Sequence, residues 1–300
     1  MKKVIVIAGA TATGKSSFGL RIAHALDSQI ISGDSIQVYR DLNIGSAKMS
    51  VDEMEGIVHH CINTRDLNKR YSVYDFQQEA RKAIASIHAL EKIPILVGGT
   101  GLYLKAALYD YDFEHEEMII PQSDEDNESL HAKLAALDPT SAASIHINNR
   151  KRVLRALEIA KSGETKSQRE AKQEKKTIYD VTMVVLDIPN NILEKRIDER
   201  IRVMVEAGLV DEVKRNFSDP QTWTYQSFQG IGYKEFKEYL EEKSGLEETI
   251  LTIRIHTRQF AKRQRTWFRH QSKAVWVNAL DSFALDQAYD QIIKWAKQED

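Results

Sequence analysis

A β-branched run, Val4-Ile5-Val6-Ile7-Ala8, leads directly into Gly9-Ala10-Thr11-Ala12-Thr13-Gly14-Lys15-Ser16, and a helical pattern follows over residues 15–26. The eight residues satisfy G-x-x-x-x-G-K-[ST] at every fixed position. Few folds accept a buried strand, a glycine loop and a helix in that order, because the strand reads as one covered on both faces of a parallel sheet. The chemistry is equally restricted. Loop N–H groups converge on phosphate oxygens, and the helix N-terminus adds partial positive charge. Lys15 would reach the distal phosphates and Ser16 would ligate Mg2+. A chance match in a glycine turn would lack the flanking strand and helix. The ligand carries phosphate, and the motif leaves ATP, GTP and other diphosphates open.

The same rhythm continues. Ile30-Ile31 reads as a strand ending near Asp34, residues 74–90 as a helix, and Ile93-Pro94-Ile95-Leu96-Val97 as a strand ending in Gly98-Gly99. Alternating strands and helices predict an α/β fold with a parallel sheet and right-handed crossovers. Near Asp110 the pattern becomes polar and helical, clearest over 127–137 and 149–160, until Val181-Thr182-Met183-Val184-Val185-Leu186 restores a buried strand. The expected organisation is a P-loop core of residues 1–110 and 178–300, flanked by helices, with a mostly helical insertion at 111–177. Helices dominate 191–271, followed by a strand at 274–277 and a helix at 282–297.

Met1-Lys2-Lys3 and the apolar run after it superficially resemble a signal peptide, but the run is short and meets a glycine loop where a cleavage site should be. No segment is long and apolar enough to span a bilayer. One cysteine, Cys61, excludes an intramolecular disulfide and suits a reducing compartment. The expectation is a cytoplasmic monomer without a membrane partner. His59-His60-Cys61 could suggest a metal site, but further ligands at suitable spacing are lacking, and a structural role is the better reading.

A net charge of -2 hides two opposed fields. Residues 110–128 hold nine acidic side chains and no Lys or Arg, while residues 251–273 hold seven Lys or Arg and no Asp or Glu. The acidic run reads as a solvated face. The basic run reads as a surface for nucleic-acid phosphates, with Arg258, Lys262 and Arg265 or Arg269 at helical spacing and Trp267 and Phe268 as stacking candidates. Trp and Phe on a helix are more often core.

In an open parallel sheet ligands bind beyond the carboxyl ends of the strands. Asp34 stands there, able to hold Mg2+ through water or to take a proton; an ordinary turn aspartate is the plain alternative. Gly98-Gly99-Thr100-Gly101-Leu102-Tyr103 follows the next strand, with Thr100 either at the ligand or only an N-cap.

Taken together, the P-loop, Asp34-Ser35-x-Gln37-Val38-Tyr39-Arg40, Gly45-Ser46-Ala47-Lys48, the Gly98 to Tyr103 segment, Arg152-Val153-Leu154-Arg155-Ala156-Leu157-Glu158, Gly230-Ile231-Gly232-Tyr233-Lys234-Glu235, and Thr257-Arg258-Gln259-Phe260-Ala261-Lys262-Arg263-Gln264-x-Thr266-Trp267-Phe268 resemble the tRNA dimethylallyltransferase family. The blocks run in family order from residue 9 to residue 268, and only their combination is specific. The resemblance implies that the P-loop binds dimethylallyl diphosphate with Mg2+, and that the acceptor is the exocyclic amine of the adenine 3′ of the tRNA anticodon. It implies Asp34 as general base, with Thr100 orienting it or the adenine, and Ser35, Ile36 and Gln37 lining the nucleotide. Arg200 resembles the arginine that grips the diphosphate. Lys151, Arg152, Val153, Leu154 and Arg155 match a stretch that contacts the anticodon stem-loop.

Two departures accompany it. His146-Ile147-Asn148-Asn149 stands where the family often has His-Pro-Asn-Asp, and the acidic stretch stands where an arginine usually lies near the substrate, so that arginine is not carried over. Alternatives are a P-loop small-molecule kinase, a prenyltransferase acting on free adenine nucleotide, and a non-catalytic RNA-binding protein with a relic P-loop.

Overall fold

The computed structural model describes residues 1–111, 123–172, 176–271 and 274–298. Much of the acidic stretch, and Lys273 at the end of the basic run, lie outside these residues. The described residues form two compact units, one of Met1–Leu108 with the chain from Thr177 onward, the other Tyr109–Lys176.

The first unit is built on a six-stranded sheet of β1 (Lys3–Gly9), β2 (Ile30–Ser32), β3 (His59–His60), β4 (Ile95–Gly98), β5 (Asp180–Asp187) and β6 (Val275–Asn278), in the order β3-β2-β4-β1-β5-β6. Every pairing is parallel, and Ile5 stands opposite Ile95 on one side and Thr182 on the other. β1 is therefore central, which explains why all five residues from Val4 to Ala8 are fully buried. On one face Ile5, Ile7, Ile95, Val97, Val184 and Leu186 pack with α1 (Lys15–Ala25) and with Ala288 and Ile292 of α12 (Ser282–Lys297). Around the other face lie α2 (Val73–Ala89) and α3 (Gly101–Leu108), which pack on each other. α8 (Asn190–Glu206), α9 (Leu209–Phe217), the short α10 (Lys237–Leu240) and the long α11 (Leu246–Gln271) complete the unit, and α11 packs on α8, α3 and β1.

α2 starts on a full capping box: Ser72 accepts the Asp75 N–H, and Asp75 accepts the Ser72 N–H. β3 was not expected from sequence. Its two residues are too few to show a period, and its side chains are held locally: His59 Nδ1 lies 2.9 Å from the Ile57 carbonyl, and His60 Nε2 lies 2.7 Å from Gln29 Oε1.

The second unit contains α4 (Asn127–Leu137), α5 (Pro139–Ser144), α6 (Arg150–Lys161) and α7 (Lys166–Lys172). Its core joins Leu130, Leu134, Ala142, Ile145, Val153, Leu154 and Ala156. Asp138 is almost fully buried, and burial pushes its carboxyl up, yet it is held down to about 2 because hydrogen bonding from Ser141 and Ser167, their N–H groups included, outweighs that effect. Asn149 takes the N-cap position of α6 without a side-chain cap bond, and the Asn148 N–H donates to His146 Nδ1 instead.

Candidate active site

A cavity of about 470 Å³ opens beyond the carboxyl ends of β1, β2 and β4, within the size range of small-molecule sites. Thr11, Lys15, Ser16, Asp34, Ser35, Ile36, Gln37, Thr100 and Arg200 all line it. Gly9, Ala10 and Thr13 are buried behind this surface, Ala12 is half-buried and Gly14 is exposed.

The phosphate loop is tied internally. The Ala10 carbonyl accepts the Thr13 hydroxyl at 2.9 Å and Lys15 Nζ at 2.9 Å. Gly14, with φ 91°, turns the chain into α1. Lys15 is held down to about 8, first by burial and then by the charge of Arg200, while Asp34 acts in the opposite sense. Burial also lowers Arg200 from its ordinary value, and Asp34 again opposes the shift. The three charges thus act on one another inside one cavity. Arg200 projects from α8, whose Ile197, Ile201 and Met204 supply an apolar wall.

Asp34 follows β2. Its Oδ1 accepts the N–H groups of Ile36 at 2.8 Å and Gln37 at 3.2 Å. The turn-aspartate reading is therefore realised, and the same turn aims the carboxyl group into the cavity. Gln37 is held on several sides: Ser32 donates to its Oε1, and its Nε2 reaches the carbonyls of Ser46 and Ala47. Thr100 opens α3, with its carbonyl accepting Tyr103 and Leu104 and its N–H reaching the Gly33 carbonyl at 3.3 Å. The N-cap position and the position in the cavity wall are one and the same.

The donor set fits Mg2+. The Ser16 hydroxyl and the Asp34 carboxyl are hard oxygens lining one cavity, and Mg2+ is commonly held by one or two protein oxygens with phosphate and water completing the shell. No cluster of three His, Cys, Asp or Glu suited to a metal occurs among the described residues, so any metal here would depend on the phosphate ligand.

Three features differ from expectation or were missed. Of the glycines after β4, Gly98 and Gly99 line the cavity. Gly99 and Gly101 also admit side chains of α11, which the sequence did not signal: a Cβ on Gly99 would lie 2.3 Å from Gln264 Nε2, and one on Gly101 would lie 2.1 Å from the Trp267 ring. Trp267 is thus a packing residue at this contact, and Phe268 is fully buried. The second feature concerns the basic run, which is partly committed within the protein. Arg258 pairs with Asp198 at 2.5 Å, Arg265 pairs with Asp187 at 2.8 Å, and Arg269 lies over Trp276. Lys262 and Arg263 stay exposed, and Arg263 reaches the cavity wall. The third was missed outright. Glu212, almost fully buried, accepts the N–H groups of Asn43, Ile44 and Gly45 and the Tyr233 hydroxyl, fastening the Gly45 segment to the Gly230 segment.

Of the five residues placed on α6, only Lys151, Arg152 and Arg155 are exposed. Val153 and Leu154 belong to the core of the second unit, so their side chains are not available to RNA.

Comparison with known proteins agrees with this geometry. A family model described as IPP transferase matches residues 37–271. The tRNA dimethylallyltransferase of an Exiguobacterium species is 47% identical over 288 residues, covering 93% of this chain and 91% of the relative. That of Bacillus mycoides is 42% identical over 289 residues, with the same coverage of 93% and 91%. A full-length tRNA isopentenylpyrophosphate transferase from Bacillus halodurans is similar with TM-score 0.75 at 36% identity, covering 99% of this chain and 97% of that one. A eukaryotic dimethylallyltransferase acting on tRNA reaches TM-score 0.85 at 32% identity, covering 100% of this chain and 82% of that one. With the phosphate loop, the strand-end carboxylate and likeness along nearly the whole length in agreement, the chain belongs to the IPP transferase family.

Proposed function

We propose that this chain transfers a dimethylallyl group from dimethylallyl diphosphate to the exocyclic N6 amine of the adenine 3′ of the anticodon in tRNA, releasing diphosphate. One observation carries the reading: a single cavity holds Lys15 and Arg200, close enough for one cation to depress the other, together with Asp34. Two cations suit a leaving diphosphate, and a carboxylate beside them suits the proton that the amine must lose.

The steps balance on these groups. The amine nitrogen forms a bond to the first carbon of the dimethylallyl group as that carbon's bond to the diphosphate oxygen breaks. The nitrogen's proton passes to Asp34, and the electron pair of the broken bond leaves with the diphosphate. An adenine amine is a weak nucleophile because its lone pair is delocalised into the ring, and a positioned base contributes roughly 10²–10⁴ in rate. Lys15, Arg200 and the loop amides face the charge that grows on the leaving group, where preorganised donors contribute most. When bound, Mg2+ would supply further neutralisation of the diphosphate, held by Ser16. Ile197, Ile201 and Met204 give the five-carbon chain an apolar wall. The adenine must leave its stack to enter, costing about a few kcal/mol and less in a loop than in a duplex.

Lys151, Arg152 and Arg155 of α6 are proposed to hold phosphates of the stem-loop. A tRNA substrate suits a reaction in the cytoplasm. The test is mass spectrometry of anticodon stem-loop RNA incubated with the protein, dimethylallyl diphosphate and Mg2+. A gain of one five-carbon unit on the adenine is expected. An unmodified RNA, or phosphoryl transfer from ATP in its place, overturns the reading.

A further inference from the structure

Gln264 of α11 is only 7% exposed, and both ends of its amide are used. Oε1 accepts the Thr11 N–H of the phosphate loop at 2.9 Å, and Nε2 donates to the Gly99 carbonyl at 3.0 Å. The partners dictate the amide's orientation, since one offers only a donor and the other only an acceptor. One side chain therefore spans the loop after β1 and the loop after β4, 253 and 165 residues away in sequence. The lack of a Cβ at Gly99 makes room for it.

The neighbours extend the arrangement. Trp267, one turn further along α11, seats against Gly101, so the helix grips the second loop on both sides of Thr100. The Thr100 N–H in turn reaches the carbonyl of Gly33, the residue before Asp34. A path of direct contacts thus runs from a phosphate-loop amide through Gln264 to the peptide beside Thr100 and on to the base of Asp34. We infer that Gln264 is a positioning residue that sets the diphosphate loop and the acceptor loop in one register, so that grip on the leaving group and aim of the acceptor depend on the same amide. The inference deepens the transfer reaction proposed above and rests on it for its catalytic half.

Two variants test it. Gln264→Leu keeps the approximate volume and removes both hydrogen bonds. Gln264→Glu keeps the size and the acceptor for Thr11 but turns an oxygen toward the Gly99 carbonyl, and it serves where the leucine variant fails to fold. Binding of inorganic diphosphate with Mg2+ is measured by calorimetry, and kcat and acceptor KM are measured per folded molecule on stem-loop RNA. Both variants are expected to weaken diphosphate binding about tenfold and to lower kcat about 10- to 100-fold, with the acceptor KM within about threefold of the parent. A melting temperature that falls while kcat and diphosphate affinity hold would mean that Gln264 only supports the scaffold, overturning the inference. Loss of one property without the other overturns the coupling. The unmodified protein run alongside separates the two readings: if it makes no product the transfer reaction fails, while diphosphate binding still decides whether Gln264 sets the loop.

Discussion

Lys15 Nζ donates a 2.9 Å hydrogen bond to the carbonyl of Ala10, within its own loop. The ammonium is thus held over the phosphate nest by the backbone that forms the nest. Burial and Arg200 bring its proton loss to about 8, and a bound anion would raise that value. The complex therefore holds a proton that the free protein gives up above pH 8. Affinity for dimethylallyl diphosphate should be near its plateau at about pH 7 and decline as pH rises through about 8. Lys15→Arg stays charged throughout, so the ratio of the two affinities isolates the lysine from the ligand's own ionisation. Parallel pH profiles would remove Lys15 as the titrating contact. Lys15→Ala should weaken the donor while sparing tRNA, and a change confined to tRNA affinity would contradict the assignment.

Asp34 has two duties, and two substitutions separate them. Asp34→Asn retains an oxygen for the Ile36 and Gln37 N–H groups but cannot accept the amine's proton. Asp34→Ala removes the turn acceptor as well. Both should lower turnover by about two orders of magnitude, with tRNA affinity within a few fold. The alanine variant should also lose some thermal stability through its unpaired turn amides. Parental turnover in the asparagine variant would rule out Asp34 as the base.

The sequence disclosed the core wherever a periodicity reported on burial. The run from Val4 to Ala8 has no polar interruption because β1 has a strand on either side, and the loss of that rhythm near Asp110 marks where sheet gives way to helices. β3 escaped because two residues carry no period. Val153 and Leu154 were assigned to RNA as part of a resembling stretch, although helical spacing from Arg150 turns them toward Leu130 and Leu134. Gln264 escaped for the opposite reason. Its polar type among cations suggests solvent, yet Ala261, Gln264 and Phe268 are spaced three and four apart and all are buried. A polar residue on a core stripe was the available signal. Glu212 left none, since its partners are backbone N–H groups some 170 residues earlier and a tyrosine on another segment.

Lys151, Arg152 and Arg155 are exposed on α6, while Val153 and Leu154 are buried. Replacing the three cations with alanine should therefore leave the fold of the second unit intact and weaken stem-loop binding. Each phosphate that is no longer neutralised reduces the slope of log affinity against log salt by about 0.7 for single-stranded RNA and more for a duplex. Affinity measured over several salt concentrations checks this, and an unchanged slope removes these side chains from the interface. Altering Val153→Ala instead should reduce stability without changing the slope, because it leaves a void among apolar neighbours.

Glu212 offers the sharpest test of how the cavity rim is held. Its two oxygens accept from Asn43 and Ile44 at 2.8 Å each, from Gly45 at 3.0 Å and from the Tyr233 hydroxyl at 2.8 Å. Gly45, Ser46 and Ala47 line the cavity together with Gly230, Ile231 and Gly232, and the two segments touch, since a Cβ on Gly232 would lie 3.4 Å from the Gly45 carbonyl oxygen. Glu212→Leu would leave three backbone donors and a phenol buried without acceptors, at about 1–3 kcal/mol for each group left unsatisfied, less whatever water can reach. Glu212→Gln keeps one oxygen but presents an NH2 group to donors, so it should recover only part of the loss. Denaturant unfolding should give a leucine variant destabilised by roughly 3–5 kcal/mol, with glutamine between it and the parent. Substrate affinity should fall along the same order, since the two segments shape one rim. A leucine variant as stable as the parent would show that this carboxylate does not fasten them together.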